Sequence, residues 1–168
     1  VPPGTSGTRD AWNSLVMKKG IDKATKELGS KKQYKAIRED GAVIEVGEND
    51  SLIIQKLAQD PEMFGFFGFS YFLAAKDKLQ AASIEGGQPS LKSIQDYSYA
   101  VARPLFFYVK KAHIGVIPGL HEFVKEFTSS KAIGKTGYLT DIGLVPLDKA
   151  KYRVSRDNGV KLSLMNLK

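Results

Sequence analysis

A chain of 168 residues can bury one ordinary hydrophobic core, and 42% hydrophobic against 26% charged residues excludes the disordered and fibrous classes. The absence of cysteine excludes disulfides, thiolate zinc sites and thiol nucleophiles together. A net charge of +7, from 25 basic and 18 acidic residues, favours an anionic partner, although the doublets Lys18-Lys19, Lys31-Lys32 and Lys110-Lys111 are spread out as on a solvated surface. No apolar run approaches the roughly 20 residues of a membrane span. The longest, Phe64 to Ala75, is interrupted by Gly65, Gly68 and Ser70. No membrane insertion is expected, and no leader-peptide pattern follows Val1.

In chain order, Val1-Pro-Pro-Gly-Thr-Ser-Gly-Thr8 reads as a turn-rich loop. A helix follows, with Trp12, Leu15 and Val16 on one face and Gly20 as its stop. Second and third helices are expected over Asp22–Leu28 and Lys32–Arg38, and a strand over Ala42–Val46, which is rich in β-branched residues. Gly47-Glu-Asn-Asp50 turns and caps a helix carrying Leu52, Ile53, Ile54 and Leu57, closed by Asp60-Pro61. A strand at Phe64–Tyr71, a short helix at Ala75–Leu79 and a strand at Ala81–Ile84 come next. Ser90 caps a short helix through Ile94, and Arg103–Lys110 reads as a strand. Pro118 opens a helix with Leu120, Phe123, Val124 and Phe127 on one face. Gly134–Pro146 is a loop, and Val160, Leu162, Leu164 and Leu167 in the polar tail suggest a strand or docking segment. The alternation indicates an α/β architecture.

The sharpest chemistry lies in Thr5-Ser6-Gly7-Thr8-Arg9-Asp10, at a helix start. Ser6 suits the N-cap, Gly7 leaves the backbone uncovered, and Thr8 adds a second hydroxyl. Such a turn can cradle an anion through N–H donors, hydroxyls and the helix dipole. Arg9 falls where a carboxylate is normally favoured, so a guanidinium there fits an anion beside it. The alternative is an ordinary capped helix whose Arg9 pairs with a nearby acid such as Asp10. Glu48-Asn49-Asp50 is sufficiently explained as an ordinary cap; its functional reading is a polar edge facing a ligand. A carboxylate there could accept the proton of hydrogen phosphate and repel sulfate, with Asp10, Glu48 and Asp50 as candidates. Arg103 either pairs with a carboxylate or reaches the ligand cleft. His113 and His121 form no metal-ligand pattern, and no metal or cofactor is expected. No nucleophile elbow or acid–base pair is legible, so no catalysis is expected. Phe64, Phe66, Phe67, Phe69 and Tyr71 read as packing rather than as a nucleic-acid stacking platform.

Six segments together resemble one family: Thr5–Trp12, Gly47–Asp50, Phe64–Tyr71, Arg103–Val109, Gly115–Gly119, and Gly137–Leu139 with Gly143–Pro146. In order and spacing they are similar to the phosphate-binding component of phosphate ABC transporters. The resemblance implies the two-lobed type II periplasmic-binding fold, with phosphate in a cleft between lobes. It implies residues 1–99 as the latter part of lobe two, and 100–168 as a crossover and the C-terminal part of lobe one. Ser6, Gly7 and Thr8 would donate to phosphate. The family often places an arginine four residues before the serine; Pro2 stands there, and Arg9 is expected to take that role. The implied partners are inorganic phosphate and the membrane permease of an importer, without nucleic acid. The implied location is periplasmic, or extracellular with a membrane tether outside these residues. The first lobe's ligands would also lie outside them. Hydrogen bonds to a charged group contribute roughly 1.5–3 kcal/mol each, so losing three would weaken binding by several powers of ten. The competing expectation is a truncated or repurposed copy that binds a partner and has little phosphate affinity.

Overall fold

A computed structural model describes residues 1–28, 34 and 36–165, which divide into two compact units. Val1–Pro89 with Tyr99–Val101 forms the first, and Ser90–Ser98 with Ala102–Lys168 the second.

In the first unit, α1 (Gly7–Trp12) starts where the Ser6 side chain accepts from the Thr8 N–H. It continues through a π-helical stretch, Asn13–Met17, into α2 (Lys18–Leu28). Gly20 does not stop the helix as expected. An interior glycine costs only about 1 kcal/mol, and the Lys18 ammonium to Asp22 carboxylate bond at 2.6 Å bridges the turn that contains it. Most of the third helix expected, over Lys32–Arg38, lies outside the described residues, and positions 36–38 are not helical.

Helix α3 (Asp50–Gln59) begins as expected, with Asn49 accepting from the Ser51 N–H. Ile53 on its inner face is buried. Residues 63–68 pass beside it without regular secondary structure. Gly65 allows the close approach, since an added Cβ would stand 2.8 Å from Leu57 Cδ1 and 3.2 Å from Ile53 Cγ2 and would push the Leu57 side chain aside. The Trp12 ring stacks on Phe66 at 4.5 Å with an interplanar angle of 4°, and Phe64 leans in at 5.6 Å. The strand expected to reach Tyr71 instead turns into α4 (Phe69–Ala74), and only turns cover the helix expected at Ala75–Leu79. Asp50 Oδ2 accepts from the Gly68 N–H at 3.0 Å, which fixes the chain where that helix begins.

In the second unit, α5 (Leu91–Gln95) carries the expected Ser90 cap, reciprocated by Ser93. A 3₁₀ turn (Lys111–His113) precedes α6 (Leu120–Phe127), α7 (Ser130–Ile133) and α8 (Tyr138–Asp141). The last helix lies within the segment read as a loop. Val124, Ala132 and Ile133 form the core, with Thr128 donating its hydroxyl to Val124 O at 2.8 Å. The polar tail, in which Val160, Leu162, Leu164 and Leu167 suggest a strand or docking segment, begins with a helix instead: α9 (Lys149–Lys161), capped by Asp148, whose carboxylate accepts from the Ala150 and Lys151 N–H groups. Gly159 lets α9 lie against Thr128, since a Cβ there would meet Thr128 Cγ2 at 2.8 Å.

The expected alternation of strands is not seen: among the described residues there is no strand, only isolated bridges at Ile84–Gly87 and Ile114–Ile117. The segments read as strands at 42–46 and 103–110 form no ladder among the described residues. A strand is stable only beside another, and in the first unit the single residue Val1 bonds to residues 44 and 46, too short a partner for a ladder.

Candidate functional site

The turn that opens α1 is built by short-range bonds. The Ser6 N–H donates to Pro3 O at 3.0 Å, the Asp10 N–H to Ser6 O at 3.0 Å, and the Thr8 N–H to Ser6 Oγ at 3.2 Å. Gly7 is exposed at its tip, and Ser6 and Thr8 are half-buried on either side. The hydroxyls and N–H groups therefore stand at an accessible helix start, where partial positive charge accumulates.

The turn is tied to residues 44–48 at three points. The Val1 nitrogen donates to Ile44 O at 2.7 Å and the Val46 N–H donates to Val1 O at 3.1 Å, a parallel pairing pattern with Glu45 in register with Val1. Arg9 then folds back from the helix. Its side chain is buried, and Nη1 donates both to Pro2 O at 3.1 Å and to Glu45 Oε1 at 3.3 Å. Thr5 Oγ1 donates to Glu48 Oε1 at 2.7 Å. Pro2, fully buried, anchors the start of the turn.

Arg9 also borders a recess of about 540 Å³ in the first unit, whose walls include Trp12, Ile53, Leu57 and Phe64. The recess is mainly apolar, and Ser6, Gly7 and Thr8 do not line it. Arg9 thus supports the turn from its buried side.

Of the other residues singled out in the sequence, Asp10 is exposed on α1. Glu48 is engaged by Thr5, Asn49 caps α3, and Asp50 holds the Gly68 N–H. Arg103 is exposed and belongs to the second unit. His121 Nε2 lies 3.3 Å from Val160 O. No group of three or more His, Asp or Glu able to hold a metal occurs among the described residues. No helix among them is long and apolar enough to cross a membrane. Sequence reasoning missed Glu45. Its signal was a lone carboxylate inside the β-branched run Val43–Val46, in a chain whose helix start carries an unexplained arginine.

A family model described as a PBP superfamily domain matches residues 1–131. The phosphate-binding protein PstS of Staphylococcus saprophyticus is 28% identical over 156 residues, covering 90% of this chain and 41% of the relative. The PstS of Staphylococcus aureus strain USA300 is 30% identical over 145 residues, covering 82% and 38%. The chain therefore spans about two-fifths of the length of these curated relatives. No solved structure gives a significant match.

Proposed function

Because the chain belongs to the PBP superfamily and is a distant relative of PstS phosphate-binding proteins, we propose that it binds inorganic phosphate without chemistry, as part of the substrate-binding component of a phosphate importer. The observation that carries this reading is the Ser6-Gly7-Thr8 helix start, with its tip exposed and a buried guanidinium behind it. In this reading Ser6 and Thr8 offer hydroxyls, and the Gly7 and Thr8 backbone approaches the oxyanion closely. Arg9 adds positive charge from beneath, where desolvation strengthens it. Asp10 is the carboxylate on the same turn left to accept a phosphate proton, since Glu48 and Asp50 already hold Thr5 and Gly68.

The lobes assigned from the resemblance, residues 1–99 and 100–168, belong to this proposal, as do a permease partner and a location outside the cytoplasmic membrane. Titration calorimetry of the intact protein with phosphate tests it. Ser6→Ala and Arg9→Ala should each weaken binding by about tenfold or more, mainly through faster release. Unchanged affinity in both variants would remove the site from this turn.

A second reading, a partner-binding polypeptide with little phosphate affinity, draws on the exposed apolar segment in the second unit. Leu105, Phe106 and Tyr108 are 73%, 72% and 73% exposed. A folded, phosphate-indifferent protein that stays oligomeric in light scattering would favour it.

A further inference from the structure

Arg9 presents an electrostatic problem that its helix does not solve. Its side chain is only 7% exposed, and a buried guanidinium is costly unless a counter-charge and hydrogen-bond acceptors satisfy it. Within α1 the following acid, Asp10, is exposed and does not pair with it. The acceptors come instead from two sequence-distant places, the Pro2 carbonyl and the Glu45 carboxylate, both on Nη1. Among the described residues the other two guanidinium nitrogens make no hydrogen bond.

Glu45 is itself held in place. Its flanking residues Ile44 and Val46 make the two bonds to Val1, so the carboxylate has a fixed register beside the start of the turn. Pro2, Arg9, Glu45 and Val1 thus close a ring of contacts around the base of the cradle. From this ring we infer that Glu45 is a positioning residue: it clamps one nitrogen of Arg9, fixes the turn against residues 44–46, and leaves the remaining guanidinium edge oriented and charged. Glu45 would not touch the anion; it acts through Arg9. This inference rests on the phosphate reading for its consequence, while the clamp itself stands on the contacts.

The clamp needs an acceptor of the right length at position 45. Glu45→Gln keeps an Oε1 acceptor while giving up the counter-charge, whereas Glu45→Ala removes both. Phosphate titration of the intact protein should therefore show Glu45→Ala weakened by about tenfold or more and Glu45→Gln within about threefold of the parent. Amide hydrogen exchange without phosphate supplies the independent readout. The Thr8 and Asp10 amides should exchange faster in Glu45→Ala and at the parental rate in Glu45→Gln. Parental exchange in Glu45→Ala overturns the clamp, as does equal loss in both variants. If the parent binds no phosphate yet Glu45→Ala loosens these amides and Glu45→Gln does not, the phosphate reading fails and the clamp stands.

Discussion

Ser6 does two jobs in the turn that opens α1: its hydroxyl oxygen receives the Thr8 N–H, and its carbonyl receives the Asp10 N–H. The first bond caps the helix, and replacing a serine N-cap with alanine costs about 1 kcal/mol. Ser6→Ala is therefore expected to lower the melting temperature by a few degrees as well as phosphate affinity, while the helix survives on its later contacts. A different constraint acts at Gly137. A Cβ there would lie 2.3 Å from Ala132 O and 2.7 Å from Ala132 C, both backbone atoms that cannot swing aside. Gly137→Ala should destabilise the second unit toward the upper end of the about 1–3 kcal/mol typical of overpacking. Chemical denaturation would measure it, and a change under about half a kcal/mol would show that the α7–α8 turn is looser than these distances require. The caps at Ser6, Asn49 and Ser90 were legible in the sequence because each is settled within a few residues of chain. Glu45 was not, because its partner stands 36 residues away.

Among the elements, α9 shows why a polar segment misleads. Lys149–Lys161 has too few apolar residues for a clear helical face, and its order comes from Asp148 at one end and the close approach of Gly159 to Thr128 along its length. The Asp148 carboxyl is held below its usual range first by the Lys151 backbone N–H, then by the Lys151 side chain. A carboxylate lowered in the folded state contributes fully above its unfolded value and loses that contribution as pH falls through the folded one. Helicity should therefore decline as pH drops below about 4. Circular dichroism of Asp148→Asn, which caps without titrating, should show a smaller decline than the parent. Identical curves would mean that other carboxylates control the transition. The extended segments teach the complementary lesson. Ala42–Val46 and Arg103–Lys110 read as strands from their β-branched and aromatic residues, yet whether they pair depends on chain that no local pattern contains.

For the whole molecule, kinship with the PBP superfamily was legible because six short segments together resemble one family, several of them at turns and helix starts. The arrangement of strands was not, because pairing is a property of the assembled polypeptide. The described units carry unusual apolar exposure, with Leu105, Phe106, Tyr108 and Val116 each 72–73% exposed. The 168-residue chain by itself should therefore bind a hydrophobic dye strongly and self-associate in light scattering. Phe106→Lys with Tyr108→Lys should suppress both. A monomeric, dye-negative parent would show that this surface is covered within the chain. The proposed phosphate binding itself, however, depends on the turn at Ser6-Gly7-Thr8. The most direct measurement is the amide spectrum of the ¹⁵N-labelled intact protein during addition of inorganic phosphate. The largest shifts should fall on Gly7, Thr8 and Arg9, with little response to equal sulfate. Shifts confined to other residues, or none at all, would contradict it.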